Sequence, residues 1–191
     1  LYQDKPGIIV GTFTIAQATP DYTVPTDKTA IYNQTLSEIT LPSGFTWNNE
    51  SDKVGDVGTR THKATFTPND TTNYKTIDDI DISIEVSQAT PDYTTPIEVN
   101  AVYGQTLGDV KGQLPEVDNG AYTFNDAEDT SVGGYGTNTF AATFTPNDTT
   151  NYKTITNIEV NVTVSKKELQ ASDFEYTAPD PLAYDGTAKI A

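Results

Sequence analysis

The loop Asn69-Asp-Thr-Thr-Asn-Tyr74 and its copy from Asn147 to Tyr152 carry a dense set of side-chain oxygens. A hard cation such as Ca²⁺ is held by about six to eight oxygen ligands. Asn69, Asp70, Asn73, Asn147, Asp148 and Asn151 are therefore the residues that could hold one. The same residue types also build turns, because Asn and Asp side chains bond backbone amides close by in sequence. Tyr74 would then be a corner residue, its hydroxyl tying the loop to a strand. The chain has no Asp-x-Asp-x-Asp-Gly loop of the dedicated calcium-binding kind. The turn is the favoured reading, and no cofactor is expected.

Other polar groups offer less. Asp78, Asp79 and Asp81 become Thr156, Asn157 and Glu159 in the second copy, so the charge is not kept. That pattern fits a solvated strand edge, where charge also discourages edge-to-edge pairing. Glu116, Asp118 and Asn119 lie in a stretch, Glu116 to Ala121, that is longer than its counterpart. It is the natural place for a ligand-binding loop. Trimming it would then remove binding and leave thermal stability almost unchanged. Asn125, Asp126, Glu128 and Asp129 form a second acidic candidate, for which a solvated loop is favoured. His62 is the single histidine and aligns with Phe140, which predicts a packing role. Phe45 and Trp47, like Tyr122 and Phe124, stand two residues apart. Exposed, they would stack on sugars; the spacing suits a core better. Lys75 and Lys153 hold equivalent positions, as a Lys–Asn isopeptide bond would need, but both sit in polar loops. No set of nucleophile, base and orienting group can be assembled, so no catalysis is expected.

Composition narrows the partners. The 191 residues include 27 acidic and 11 basic side chains, a net charge of −16. A nucleic-acid backbone needs a basic face, and this chain has none to offer. An anionic membrane surface is disfavoured for the same reason. No apolar run approaches the roughly 18–20 residues that span a bilayer. Cysteine and methionine are both absent, which removes disulfides, thiol nucleophiles and Cys-ligated metals together.

These side chains are positioned by a repeat. Ala64 to Ile77 recurs without change as Ala142 to Ile155, and Ala18 to Thr23 recurs as Ala89 to Thr94. Tyr32-Asn-Gln-Thr-Leu36 recurs as Tyr103-Gly-Gln-Thr-Leu107, a swap that a turn position tolerant of both Asn and Gly would explain. The copies are offset by 71 residues at their start and 78 at their end, so the second holds seven extra residues in Gly-, Asn- and Asp-rich stretches. Two complete units are expected, 18–88 and 89–165. Residues 1–17 are expected to be the last strand of a preceding unit, and 166–191 the truncated start of a following one.

Periodicity predicts strands. Ile80, Ile82, Ile84 and Val86 alternate with polar residues, as do Ile158, Val160, Val162 and Val164. Period two with β-branched residues means one buried face and one wet face. Phe140, Ala142 and Phe144 form another inward set, matched by His62, Ala64 and Phe66. No window carries a convincing helical period. Several short strands per unit, separated by turn residues, predict an all-β fold of small β-sandwiches.

The run Tyr-Gly-Gln-Thr-Leu, then Leu-Pro and an aromatic pair, then Ala-Thr-Phe-Thr-Pro…Asp…Asn-Tyr resembles the tandem Ig-like repeats of large bacterial surface proteins. Tyr184-Asp185-Gly186 resembles the start of the related MBG (YDG)-type repeat. The resemblance implies small Ig-like β-sandwiches arranged as an elongated rod. It implies an extracellular, cell-wall-associated stalk or spacer of a Gram-positive, adhesin-like protein, whose partners are neighbouring repeats of the same chain. A chain this acidic, rich in Thr and free of Cys agrees with it. The alternatives are a module that binds a glycan or host protein, or an accessory module of a secreted carbohydrate-active enzyme.

Overall fold

The computed structural model describes residues 14–170, 173 and 174. Among them run eight strands: β1 (Lys28–Ile31), β2 (Phe45–Trp47), β3 (Gly58–Phe66), β4 (Ile77–Ser87), β5 (Ile97–Val102), β6 (Gly120–Phe124), β7 (Gly136–Pro146) and β8 (Ile155–Ser165). Helix is confined to the short turns Leu36–Glu38, Leu107–Val110 and Lys111–Gln113. The fold is all-β, in two four-stranded sheets ordered β1-β4-β3-β2 and β5-β8-β7-β6. The first strand of each sheet pairs parallel with the last: Lys28 lies opposite Ile84, and Ile97 opposite Val160. In the first sheet β2 with β3 and β3 with β4 are antiparallel. Thr14–Gln17 form no strand. Most of the expected preceding strand, residues 1–13, and the Tyr184-Asp-Gly186 motif lie outside the described residues.

The residues fall into two compact units. Unit 1 holds those up to Thr94 together with Glu116–Tyr122 and Thr143–Thr156. Unit 2 holds Thr95–Pro115, Thr123–Ala142 and those from Asn157 onward.

The buried faces follow the period-two pattern. Along β4, Ile80, Ile82, Ile84 and Val86 are buried, while Asp79, Asp81, Ser83 and Glu85 face water. Each such Ile or Val removed from water stabilises by about 1.5–3 kcal/mol. Ala30, Leu36, Ile39, Trp47, Val54 and Ala64 complete the core of the first sheet. Along β8, Ile158, Val160, Val162 and Val164 are buried in the same way. The aromatic pairs are packing residues: Trp47 and Tyr122 are buried, Phe45 tilts against Phe66, and Phe124 meets Phe140 edge-on. Trp47 donates its indole N–H to the Ile39 carbonyl at 2.9 Å. His62 is half-buried, edge-on to Trp47, with Nε2 3.1 Å from the Val54 carbonyl oxygen.

The recurring Tyr-x-Gln-Thr-Leu run is a strand exit in which each position has a task. In unit 1 the chain leaves β1 through Asn33, at φ +76°; in unit 2 it leaves β5 through Gly104, at φ +95°. Asn and Gly are the residues that enter this left-handed region at least cost, which accounts for the swap. The Gln side chain then folds back. Gln34 Oε1 accepts the Ile31 N–H, and Gln105 Oε1 the Val102 N–H, both at 2.7 Å. Thr35 and Thr106 begin the helical turns, each donating its own N–H to the carboxylate of Glu38 or Asp109. That reciprocal arrangement is a capping box. Leu36 and Leu107, next in line, are buried.

The acidic group at Asp78, Asp79 and Asp81 has a backbone explanation as well. The register of β3 against β4 shifts between Ala64 and Phe66, a bulge. Asp79 stands there at φ +59°, and Asn157 at φ +57° in the second copy. Asp and Asn both tolerate this region. The substitution that discards the charge therefore keeps the conformation.

Candidate functional site

The loop Asn69 to Tyr74 and its copy are turns built on one carboxylate each. Asp70 Oδ1 accepts the N–H groups of Thr72 and Asn73, both at 3.1 Å, and Oδ2 accepts a bond from Asn73 Nδ2 at 2.7 Å. Asp148 does the same with Thr150 and Asn151, at 3.2, 3.1 and 2.8 Å. The Asn73 side-chain bond, followed by its backbone N–H, holds the Asp70 carboxyl below the usual carboxylate range. The Asn151 side chain leads in the same way at Asp148. The two carboxylates that a cation would need thus face amide donors. Among the described residues no group of three or more His, Cys, Asp or Glu side chains comes together as a metal-holding cluster.

A strap closes each loop from outside. The Gln17 amide donates to the Thr71 carbonyl at 2.7 Å, and Ala18 pairs with Tyr74 in a parallel bridge. Gln88 and Ala89 repeat this against Thr149 and Tyr152. The recurring Gln-Ala-Thr-Pro run is thereby explained as the strap of the recurring loop. A hollow lies beside each. One of about 360 Å³ is lined by Thr19, Pro20, Asp21, Asn69, Asp70 and Tyr74, among others. One of about 420 Å³ is lined by their equivalents Thr90, Pro91, Asp92, Asn147, Asp148 and Tyr152, joined by Asn33 and Asn119.

The two loops differ in what covers them. Asn73 and Tyr74 are exposed, Tyr74 by 41%. Asn151 is 6% exposed, the one buried polar side chain among the described residues. Within unit 1 its Oδ1 accepts the Val57 N–H at 2.9 Å and its Nδ2 donates to Asp56 Oδ1 at 3.1 Å. The Tyr152 hydroxyl accepts a bond from Asn33 Nδ2 at 2.8 Å. Its ring stands edge-on to Tyr32, with centroids 5.3 Å apart. The Tyr152 hydroxyl thus serves a segment distant in sequence. Burial pushes the Tyr32 phenol up, and Tyr152, Asp148 and Asp56 add to the shift.

The candidate ligand loops are also engaged. Within unit 1, Asn147 donates its backbone N–H to the Asn119 carbonyl and its side-chain amide to the Asp118 carbonyl. Asn119 Nδ2 donates to the Asp92 carbonyl at 3.2 Å. Gly120 packs so closely that a Cβ there would lie 2.5 Å from the Phe144 ring. The loop thus braces the Asn147 turn. Glu116 is exposed at its start. In unit 2, the Glu128 carbonyl accepts the Gly108 N–H and its carboxylate pairs with Lys111 at 2.8 Å. Asn125 donates its N–H to the Ala141 carbonyl. Asp126 and Asp129 are exposed, as a solvated loop requires.

Candidates Asn69, Asp70 and Asn73 thus line one turn. Asn147, Asp148 and Asn151 line the other, joined by Asp118 and Asn119. Asn125, Asp126, Glu128 and Asp129 belong to unit 2. Sequence reasoning missed Tyr32, Asn33, Asp56 and Val57. The signal for them is slight: a Tyr and an Asn beside a turn, with nothing to name their distant partner. Lys75 and Lys153 are both exposed, without the enclosure an isopeptide bond requires. No helix among the described residues is long and apolar enough to cross a membrane. No protein-family model matches the chain, and no curated protein matches it.

Proposed function

We propose that this chain is a spacer: two consecutive copies, 18–88 and 89–165, of one Ig-like β module from a repetitive bacterial surface protein. The module holds another part of that protein away from the cell and performs no catalysis. One observation carries the reading. In the second copy the longest unchanged run spends Asp148 on its own turn and Asn151 and Tyr152 on residues 32–57. A run retained for a ligand would aim those groups at solvent. The net charge of −16 supports the same reading, since like-charged spacers stay apart and soluble. Small-angle scattering tests it: an elongated particle is expected, and a compact one with the two copies folded together refutes it. An immobilised chain should also stay silent on a panel of glycans and host matrix proteins, with and without Ca²⁺.

The second reading is a glycan- or host-protein-binding module. It is favoured by the 420 Å³ hollow, where Asp92, Asn119, Asn147 and Tyr152 offer polar groups around one aromatic ring. Saturable binding that is lost in Asn119→Ala would replace the spacer reading with this one.

A further inference from the structure

The same 14-residue run stands in two surroundings, and the difference defines a seat. In unit 1, Asn151 and Tyr152 rest on the Tyr32 ring, Asn33, the Asp56 carboxylate and the Val57 N–H. The identical Asn73 and Tyr74 are exposed. The repeat also supplies a second seat, in unit 2. Its equivalents of Tyr32, Asn33, Asp56 and Val57 are Tyr103, Gly104, Gly134 and Tyr135. The backbone frame is reproduced: φ is +90° at Gly55 and +91° at Gly133, and +108° at Gly58 and +110° at Gly136. Among the described residues no such loop occupies this second seat. Tyr103 is 58% exposed and Tyr135 72%. A hollow of about 300 Å³ opens there, lined by Val102, Tyr103, Gly104, Gln105 and Lys167.

We propose that this face of unit 2 is a docking site for a second copy of the chain, which inserts its Asn73–Tyr74 loop. The contact is heterologous, one surface meeting a different one, so each copy offers both a seat and a loop. Two of the four unit 1 contacts carry over unchanged in kind: an aromatic edge from Tyr103 and a backbone N–H from Tyr135. Two do not, because Gly104 lacks the Asn33 amide and Gly134 lacks the Asp56 carboxylate. The Asn73 amide nevertheless keeps its Asp70 acceptor at 2.7 Å. The second seat gains a cation instead, with Lys166 Nζ 5.2 Å from the centre of the Tyr135 ring, where the incoming Asp70 carboxylate adds favourable charge. In unit 1 the loop is delivered by its own chain, at an effective concentration of the order of millimolar. Between separate copies the contact is small and belongs to the weak, transient class.

Sedimentation equilibrium of the full chain at near-millimolar concentration, in salt high enough to screen its like charge, reads the contact directly. Self-association is expected. It should fall at least tenfold in Tyr74→Ser, which spoils the loop, and in Tyr103→Ser/Tyr135→Ser, which spoils the seat. Mixing the two variants leaves one intact loop and one intact seat, so heterodimers should return without larger species. All three side chains are exposed, and a circular dichroism melt checks that each variant is folded. A strictly monomeric chain, association that survives either variant, or a mixture that stays monomeric overturns the proposal. An elongated or compact scattering profile has no bearing on this result, so the two proposals fail separately.

Discussion

Asp70 and Asp148 each satisfy three amide donors, and that role gives each a share in the chain's response to acid, as the capping-box bonds do for Glu38. Both Asp carboxyls have a folded-state pKa below the unfolded value of about 3.9. The stability they contribute is therefore complete above that value and is lost as pH falls through the lower, folded one. Tyr32 works in the opposite range. Its phenol is raised above its ordinary 10.0, so stability is complete below that pH and declines as pH rises beyond it. A plot of melting temperature against pH should thus bend downward below about 4 and again above about 10. Asp148→Ala should lower the melting temperature and flatten the acid limb. Asp70→Ala should do so less, because among the described residues its turn holds only the Gln17–Ala18 strap, whereas the Asp148 turn holds its own strap and residues 32–57 as well. Calorimetry on the two variants side by side checks the order.

Strands were legible because alternation is a local property. Ile80 to Val86 and Ile158 to Val164 announce a buried face within seven residues, without reference to any partner. Ile82 is fully buried; Ile82→Ala should cost about 2–5 kcal/mol in a denaturant titration. Gly120→Ala should cost about 1–3 kcal/mol, because its Cβ would press on Phe144 and on the Thr145 carbonyl. Less was legible at β1 and β5. Their parallel partners stand more than 50 residues further along the chain, and β1 buries only Ala30. The capping boxes went unread, because the turns they open are too short for a helical period to show. The seat for Asn151 was illegible for a different reason. A buried amide is recognised by what surrounds it, and Asp56 and Val57 are about 95 residues away in sequence. The Asn157 that replaces Asp79 was the better clue: a swap that changes charge and keeps shape points to the backbone.

At the scale of the whole molecule, the parallel pairing of β1 with β4 and of β5 with β8 has a mechanical meaning. In each sheet the strand nearest the N-terminus lies beside the strand nearest the C-terminus, and both run the same way. A pull on the two chain ends drags these neighbours in opposite directions along their length. Every ladder bond between them is then loaded at once, in shear, where a hairpin pulled from its open end would peel one bond at a time. Stretching single molecules should therefore give two discrete ruptures, one per sheet, at forces well above those of a sheet that unzips. The β5–β8 sheet should break second, since six paired positions share its load against four in β1–β4. Asn100 gives its N–H to Gln113, so its neighbour Val99 turns the other way, toward β8. Val99→Pro would remove that rung and lower only the later rupture. A chain that resists tension in this way keeps its length under load until the first sheet shears.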